Sequence, residues 1–181
     1  MLQRVCTILN FGRTTEEDRP VNAIELLMTQ HKEAKALFKK IEKAEGEEKR
    51  QLFEELADAL AVHASIEEKH FYPSTKSPRT VELLQEAVEE HLSVKRIIAD
   101  LLDCEPSDPQ FEAKITVLQE QVEHHIEEEE GELFPKVKQM FSEDQLEDLG
   151  MAMEDLAEEL KEGGAPREQV PLETGSAAPL E

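Results

Sequence analysis

The stretch HASIEEKHFYP at residues 63–73 decides the fold, because it returns in nearly the same register as HIEEEEGELFP at residues 125–135. Each copy begins with a histidine, has a glutamate four residues later and places a proline ten residues after the histidine. On a helix, side chains four residues apart lie on one face, one turn apart. Each copy can therefore present a nitrogen and a carboxylate to one point, which is a spacing typical of metal ligands.

The composition around these repeats predicts an all-α protein. Apolar residues make up 39% of the 181 residues and aromatic residues only 4%, and there is no Trp. Leu, Ala, Glu and Lys are frequent, and the alternation typical of strands is missing. A chain of this length has room for one domain with a proper core, together with tails.

Apolar residues recur at helical spacing in five segments, which turn and capping residues separate. Asn22, Asp108 and Ser142 are suited to begin helices, Pro73 should end the second helix, and Ser77 with Pro78 should open the third. The segments predicted from this pattern are an N-terminal arm at 1–21, an antiparallel up-down-up-down four-helix bundle at 22–141, an additional amphipathic helix at 142–162 and a disordered tail at 163–181.

Four histidines, one on each predicted bundle helix, should lie at the same height in the core. They are His31, His63, His91 and His125. Two residues of an antiparallel hairpin are level when the turn lies midway between them, and the midpoints of successive pairs fall at positions 47, 77 and 108, each at a predicted turn. Two glutamates, Glu67 and Glu129, follow one turn after the histidines of the repeats.

Six buried polar side chains at one level need a compensating partner. Burying an unpaired polar group costs roughly 2–7 kcal/mol, and a metal ion would offset that cost for the whole set. The alternative is a polar core layer whose members satisfy one another. Imidazole and carboxylate ligands suit iron, manganese or zinc, so the residue types alone leave the metal open.

The remaining polar residues near the repeats are weaker candidates. His70 and Glu132 hold equivalent places in the two copies, where a polar residue at a helix end is the simpler interpretation. His124 should lie at or near the surface. Tyr72, the only tyrosine, should pack at the end of its helix.

This ordered set of motifs resembles the hemerythrin-like proteins of the HHE cation-binding family over residues 22–135. The pattern is one histidine, then HxxxE ending in Tyr-Pro or Phe-Pro, then a second histidine and a second HxxxE. The resemblance implies a four-helix bundle that holds two non-haem iron ions joined by an oxo or hydroxo bridge. The metal ligands that it implies are His31 and His63 for one iron, His91 and His125 for the other, and Glu67 and Glu129 as bridges.

The function implied by this resemblance is a di-iron protein that binds or responds to oxygen, nitric oxide or peroxide. Iron storage or homeostasis is one alternative, and a di-iron enzyme that turns over peroxide or nitric oxide is another, so turnover stays open. Ferritin-like oxidases use Glu with ExxH pairs, and the HxxxE motifs of this chain argue against that chemistry.

Two differences from the oxygen-carrying hemerythrins argue against reversible oxygen carriage. The carriers have HxxxH in the third helix, where this chain has His91 followed by Lys95, and an aspartate five residues after the fourth-helix histidine. A protonated lysine cannot bind a metal, so we expect an open coordination position and oxidation in air without a long-lived oxygen adduct. The alternative is that His70, Glu132 or water fills this position.

The charge and the cysteines limit the partners and the compartment. A formal net charge of −22 argues against binding to nucleic acid or to an anionic membrane surface. Cys6 and Cys104 suggest two reduced thiols, and with no signal or membrane segment the sequence predicts a cytoplasmic protein. We expect a monomer or homodimer, with the fifth helix or the tail as the surface that would receive a protein partner.

Overall fold

The structure is a computed structural model that describes residues 21–180. Most of the predicted N-terminal arm, including Cys6, lies outside the described residues, while Cys104 is a free thiol. Within 21–180 no strand is present, and no helix combines the length and apolar character that crossing a membrane requires. The helices are α1 (Ala23–Ile41), α2 (Gly46–Ile66), α3 (Tyr72–Thr75), α4 (Val81–Leu102), α5 (Pro109–Glu128), α6 (Phe134–Met140) and α7 (Glu143–Glu162).

Four of these helices form an antiparallel bundle. Helix α1 contacts α2, α2 contacts α4, α4 contacts α5, and α5 returns to α1. The predicted all-α four-helix bundle with an additional helix is confirmed. Three predicted N-caps are also confirmed, since the side chains of Asn22, Asp108 and Ser142 accept hydrogen bonds from backbone N–H groups of the first turns of α1, α5 and α7.

Each repeat contains a π-helical turn that begins at its glutamate. The turns span Glu67–Phe71 and Glu129–Leu133, and in each the next backbone N–H bonds to the glutamate carbonyl five residues earlier. In both copies a proline lies two residues after the turn and cannot donate to an α-helical hydrogen-bond ladder. The helical path continues through Pro73, which lies inside α3, so the prediction that Pro73 ends the second helix was wrong.

The predicted start of the third helix at Ser77 and Pro78 was early. These residues form a turn in which the Thr80 hydroxyl accepts from the Ser77 N–H and donates to the Thr75 carbonyl. Helix α4 therefore begins at Val81. The two hairpins still meet at the predicted place, because the connection remains short.

Two apolar clusters fill the two ends of the bundle. One lies toward the α1–α2 turn and contains Phe38, Phe53 and Phe111. The other contains Phe71 and Phe134 and extends to α7. The four histidines lie at the boundary between these clusters, so a polar layer crosses an otherwise apolar core.

Helix α7 packs against α1 and α2 at the end of the bundle that contains the second cluster. Its contact with the start of α1 is close, because a Cβ atom added at Gly150 would lie 2.2 Å from the Val21 carbonyl oxygen and 2.8 Å from the Ala23 nitrogen. Glycine is thus required at this crossing. The additional helix is therefore packed on its own bundle.

The segment after α7 differs from the predicted disordered tail. Residues 163–180 run back along the bundle and include two 3₁₀ turns, Pro166–Glu168 and Val170–Glu173. Val170 is buried against α2 and α4, and Arg167 pairs with Asp58. Composition predicted disorder because the segment is rich in Gly, Pro and Glu, yet one buried apolar side chain and specific ion pairs hold it in place.

Candidate metal centre

The structure brings the four histidines of the bundle together as two pairs. The rings of His31 and His63 have centroids 4.9 Å apart, and those of His91 and His125 are 4.7 Å apart. All four side chains are buried. Each pair comes from one helical hairpin, as the positions of the turns predicted.

Glu67 and Glu129 lie between the two histidine pairs, and each contacts both hairpins. An oxygen of Glu67 lies 3.2 Å from Nε2 of His63 in its own hairpin and 3.3 Å from Nε2 of His91 in the other. An oxygen of Glu129 likewise lies 3.5 Å from Nε2 of His125 and 3.3 Å from Nε2 of His31. The two glutamates therefore hold related positions in the two halves of the site.

The side-chain atoms form two overlapping groups of metal-binding size. His31, His63, Glu67 and Glu129 offer atoms within 4.8 Å of one another, and Glu67, His91 and His125 form a second such group. The groups share Glu67, as a carboxylate that bridges two ions would require. All six residues selected from the sequence lie in these groups, and their role as ligands remains a prediction.

Several atoms at the centre of this site form no hydrogen bond within the described protein, although other polar atoms lie near them. Five buried side-chain nitrogen or oxygen atoms of residues 21–180 lack a hydrogen bond, and four of them belong to the site: Nε2 of His31, Nε2 of His63, an oxygen of Glu67 and an oxygen of Glu129. Leaving such groups unpaired in a core is costly. Lone pairs converging from imidazole and carboxylate are the donors that a divalent transition metal takes.

The other ring nitrogen of each histidine has a polar partner that points away from the centre. Nδ1 of His31 lies 2.9 Å from Glu130, Nδ1 of His63 is 2.8 Å from Gln30, Nδ1 of His91 is 3.0 Å from Glu68 and Nδ1 of His125 is 2.8 Å from Glu90. These oxygens accept from Nδ1, so Nε2 of each ring is directed at the centre of the site. Such outer partners fix ring orientation in metal sites.

The partners of Nδ1 follow the internal repeat, which sequence reasoning missed. Glu68 and Glu130 each follow directly after the repeat glutamate and bond to the histidine of the other hairpin. Gln30 and Glu90 each precede the first histidine of a hairpin and bond to the second one in that hairpin. These equivalent positions in the two copies were the sequence signal.

Tyr72 lies inside the site, and the prediction that it only packs at a helix end was wrong. Its fully buried hydroxyl donates to Glu129 over 3.0 Å and lies 3.4 Å from Glu67 and 3.3 Å from Nε2 of His91. The π-helical turn before Tyr72 turns this side chain inward. The equivalent residue of the second copy is Phe134, which stacks on His31 at 5.9 Å and brings no polar group.

Burial and nearby charges shift the pKa values of the two central glutamates in opposite directions. Burial and the neighbouring Glu129 raise the pKa of Glu67 well above its ordinary value of 4.5. Burial opposes ionisation of Glu129 as well, but His125 and His31 outweigh it and hold the pKa of Glu129 below its ordinary value. Burial, followed by the charge of His31, lowers the pKa of His63. The charge of Glu129 thus opposes ionisation of Glu67. Both carboxylates can be ionised together only when cations lie beside them.

The weaker candidates lie outside the two groups. Glu132 is exposed and pairs with Lys136, while His70 is half-buried and offers no atom to either group. His124 is exposed and contacts Glu90 and Glu128 at the surface. Neither His70 nor Glu132 therefore fills the open coordination position for which the sequence made them alternatives.

Lys95 is buried, but its ammonium is not directed at the histidines. Nζ lies 2.8 and 3.0 Å from the two oxygens of Glu68 and 2.8 Å from Glu173 of the C-terminal segment. Lys95 is therefore not a surface residue. Lys95 is joined to the site through Glu68, which also accepts from His91.

Comparison with known proteins decides the family. The model of the Hemerythrin HHE cation binding domain matches residues 22–137, which is most of the chain and contains all six central residues. The chain belongs to the hemerythrin HHE cation-binding family. The resemblance inferred from the motifs is thereby confirmed, and metal binding follows as the general property of this family.

One solved structure shows the same fold in an HHE family member. The crystal structure of a hemerythrin HHE cation binding domain-containing protein from Mycobacterium kansasii has a TM-score of 0.70 and 30% sequence identity, and covers 83% of this chain and 99% of that one. The covered 83% is a larger share of the chain than residues 22–137, so the structural agreement extends beyond the family match.

Two kinds of relative match this chain in sequence. Uncharacterized proteins of Mycobacterium tuberculosis and Mycobacterium bovis are 29% identical over 144 residues, which is 78% of this chain and 88% of theirs. A DNA nickase of Nostoc sp. is 25% identical over 132 residues, which is 72% of this chain and only 38% of that protein. The chain thus spans little more than a third of the nickase.

Proposed function

We propose that this HHE protein is a non-haem di-iron protein that binds or responds to oxygen, nitric oxide or peroxide. One iron would be held by His31 and His63 and the other by His91 and His125, with Glu67 and Glu129 shared between them. The observation that supports this assignment is the convergence of unpartnered Nε2 and carboxylate atoms on the centre of the bundle. When bound, the irons would supply open coordination positions and redox chemistry.

The residues around the site would prepare it for metal. The acceptors on Nδ1 would hold each imidazole with Nε2 directed at the centre, where a cation would bind. Burial and Glu129 raise the pKa of Glu67, which favours a protonated Glu67 in the metal-free protein, and binding of cations would release that proton. Tyr72 would hold Glu129 by its hydroxyl and limit how far that carboxylate rotates.

Iron is proposed because the family resemblance favours it, while the donor set also suits manganese and zinc. A reactive role is proposed because each iron would have two histidines and the two shared glutamates as protein ligands. That set would leave coordination positions for water or a small molecule. Lys95 supports this view, since its ammonium is paired with Glu68 and Glu173 and brings no donor to the vacant position.

Iron storage and enzymatic turnover of peroxide or nitric oxide are the two alternative functions. The nicking activity in the name of the Nostoc relative belongs to a much longer protein, and we do not extend it to this chain, because a net charge of −22 disfavours DNA binding. The cytoplasmic location, the absence of a nucleic-acid partner and the monomeric or homodimeric state stay predictions.

Stopped-flow spectroscopy of the reduced, iron-loaded protein separates these functions. The protein would be mixed anaerobically with oxygen, peroxide or nitric oxide in separate experiments. A spectral change with one of these molecules at a stoichiometry of one per centre, without sustained consumption, supports binding or sensing. Sustained consumption indicates an enzyme, and rapid release of iron to a chelator indicates a store. Spectra that do not respond to any of the three would contradict the proposal.

A further inference from the structure

An apolar cavity of about 80 Å³ lies beside the histidine layer on the side of the first core cluster. All four histidines of the layer line it. Its walls are otherwise mostly aliphatic and include Ala34, Leu60, Val94, Ile98, Val122 and Ile126. A cavity of this size and character accepts a small neutral molecule more readily than an ion, because desolvating a charge there would be costly.

A second, larger and more polar groove lies on the outside of this cavity. It has a volume of about 430 Å³ and runs between α2, the end of α7 and the C-terminal segment. The inner cavity and the outer groove share three lining residues, Ala61, Lys95 and Val170. These three side chains therefore lie between the inner cavity and the outer groove.

Of these three residues, Val170 alone lies outside the bundle helices. It lies in the 3₁₀ turn Val170–Glu173 and is 2% exposed. Its turn and the preceding one contain no other buried residue. Its neighbour Leu172, by contrast, is 80% exposed. Lifting this segment would thus expose one apolar side chain, a small cost compared with moving a bundle helix.

The rest of the segment is held by polar contacts at both ends. Before Val170, the guanidinium of Arg167 pairs with Asp58 and with Glu54 over 3.0 Å, and its backbone N–H donates to Asp58. After Val170, Glu173 pairs with Lys95. The ion pairs of Arg167 are partly exposed and contribute little stability each. Lys95 is buried, but it keeps Glu68 as a partner if Glu173 moves away, so the segment can open without unfolding the bundle.

We propose that residues 166–174 form a gate over the apolar cavity, in which the side chain of Val170 blocks the opening. The cavity then admits a small neutral molecule to the histidine layer when the gate opens. Two side chains link the gate to the site. Lys95 pairs with Glu173 of the gate and with Glu68, and Glu68 accepts from Nδ1 of His91. Only the consequence for reactivity rests on the proposed di-iron function. The gate itself is a property of the metal-free protein.

Xenon is a suitable probe, because it is small, neutral and enters apolar cavities. Exchange of xenon with the metal-free, full-length protein would be measured by xenon-129 nuclear magnetic resonance. Val170→Ala and Arg167→Ala should each raise the rate of xenon entry several-fold, and Val170→Ile should lower it. Leu172→Ala is the matched control on the same turn and should leave the rate unchanged. Circular dichroism would establish that each variant is folded.

The outcomes of the xenon experiment are decisive for the gate. Equal entry rates in all variants, an equal effect of Leu172→Ala, or no bound xenon in the wild type would each overturn the proposal. Nitric oxide association with the iron-loaded protein then tests the consequence, and the same order of variants is expected. If the chain takes up no iron while the xenon rates follow the predicted order, the proposed function fails and the gate stands. If iron binds normally and xenon entry is insensitive to changes at Val170, the gate fails and the proposed function stands.

Discussion

The hydroxyl of Tyr72 donates a hydrogen bond to Glu129 over 3.0 Å and so joins the repeat glutamate of one hairpin to an aromatic residue of the other. The related position in the second copy is Phe134, which has no hydroxyl and stacks on His31. Each half of the site thus has two histidines and one glutamate, but only one half has a tyrosine hydroxyl at this position. This difference makes Tyr72 a test of what the asymmetry contributes.

Tyr72→Phe should keep the metal and reduce the stability of the metal-free protein. The ring would still stack on His91, with centroids 5.6 Å apart, but Glu129 would lose a buried donor. Loss of a hydrogen bond to a charged group costs roughly 1–3 kcal/mol. Chemical denaturation with a chelator present measures the stability, and metal analysis measures the content. Loss of half the metal would show instead that Tyr72 is itself a ligand.

Glu67→Gln should have opposite effects with and without metal. Because burial and Glu129 raise the pKa of Glu67, the folded metal-free protein binds a proton that the unfolded chain releases above pH 4.5. The wild type therefore loses stability relative to the variant as the pH rises from 4.5 toward the raised pKa. At neutral pH the metal-free variant should be as stable as the wild type or more so. With metal present it should bind less metal and unfold at a lower temperature.

Thermal unfolding of both proteins across this pH range, with chelator and with ferrous iron, tests these two signs. Glu55→Gln is a control on the exposed face of α2 and should behave as the wild type in both conditions. A metal-free Glu67→Gln variant that is several kcal/mol less stable than the wild type at neutral pH would contradict the account.

Glu130→Ala should weaken metal binding although it removes no predicted ligand. Its carboxylate accepts from Nδ1 of His31, and loss of such an outer partner typically costs about 10–100-fold in metal affinity. Competition with a chromogenic chelator would measure the affinity. The neighbouring Glu127→Ala changes an exposed carboxylate of α5 and should leave the affinity unchanged. Equal affinities of the two variants would mean that the Nδ1 partners do not matter.

Gly150→Ala should destabilise the packing of α7 on the bundle. The added Cβ would overlap the Val21 carbonyl oxygen, and overpacking of this kind typically costs about 1–3 kcal/mol. Gly131→Ala is the matched change, since nothing lies within 4 Å of its added Cβ. Denaturant unfolding compares the two. A Gly150→Ala variant with wild-type stability would show that the contact between α7 and α1 can relax freely.

The fold and the six central residues were accessible from the sequence for physical reasons. Helical periodicity marks which face of a helix is buried, and a short turn places residues on either side of it at one height. His31 and His63 could thus be set level without knowledge of a single contact. The repeat of HxxxE then located both glutamates.

Other features depend on contacts that periodicity does not encode. Tyr72 enters the site because a π-helical turn rotates the chain before it, whereas a proline ten residues after a histidine suggests only a helix end. Val170 is a single apolar residue in a polar segment, so its burial could not be predicted from composition. The partners of Nδ1 lie beside the central residues in sequence, yet nothing in a single copy of the repeat shows which histidine each one meets.

Metal analysis of the full-length protein, produced in iron-replete cells, tests the central claim most directly. The account predicts about two iron atoms per chain and a charge-transfer band in the near ultraviolet, with both reduced in His63→Ala. A content near one zinc atom per chain, with no such band, would contradict it.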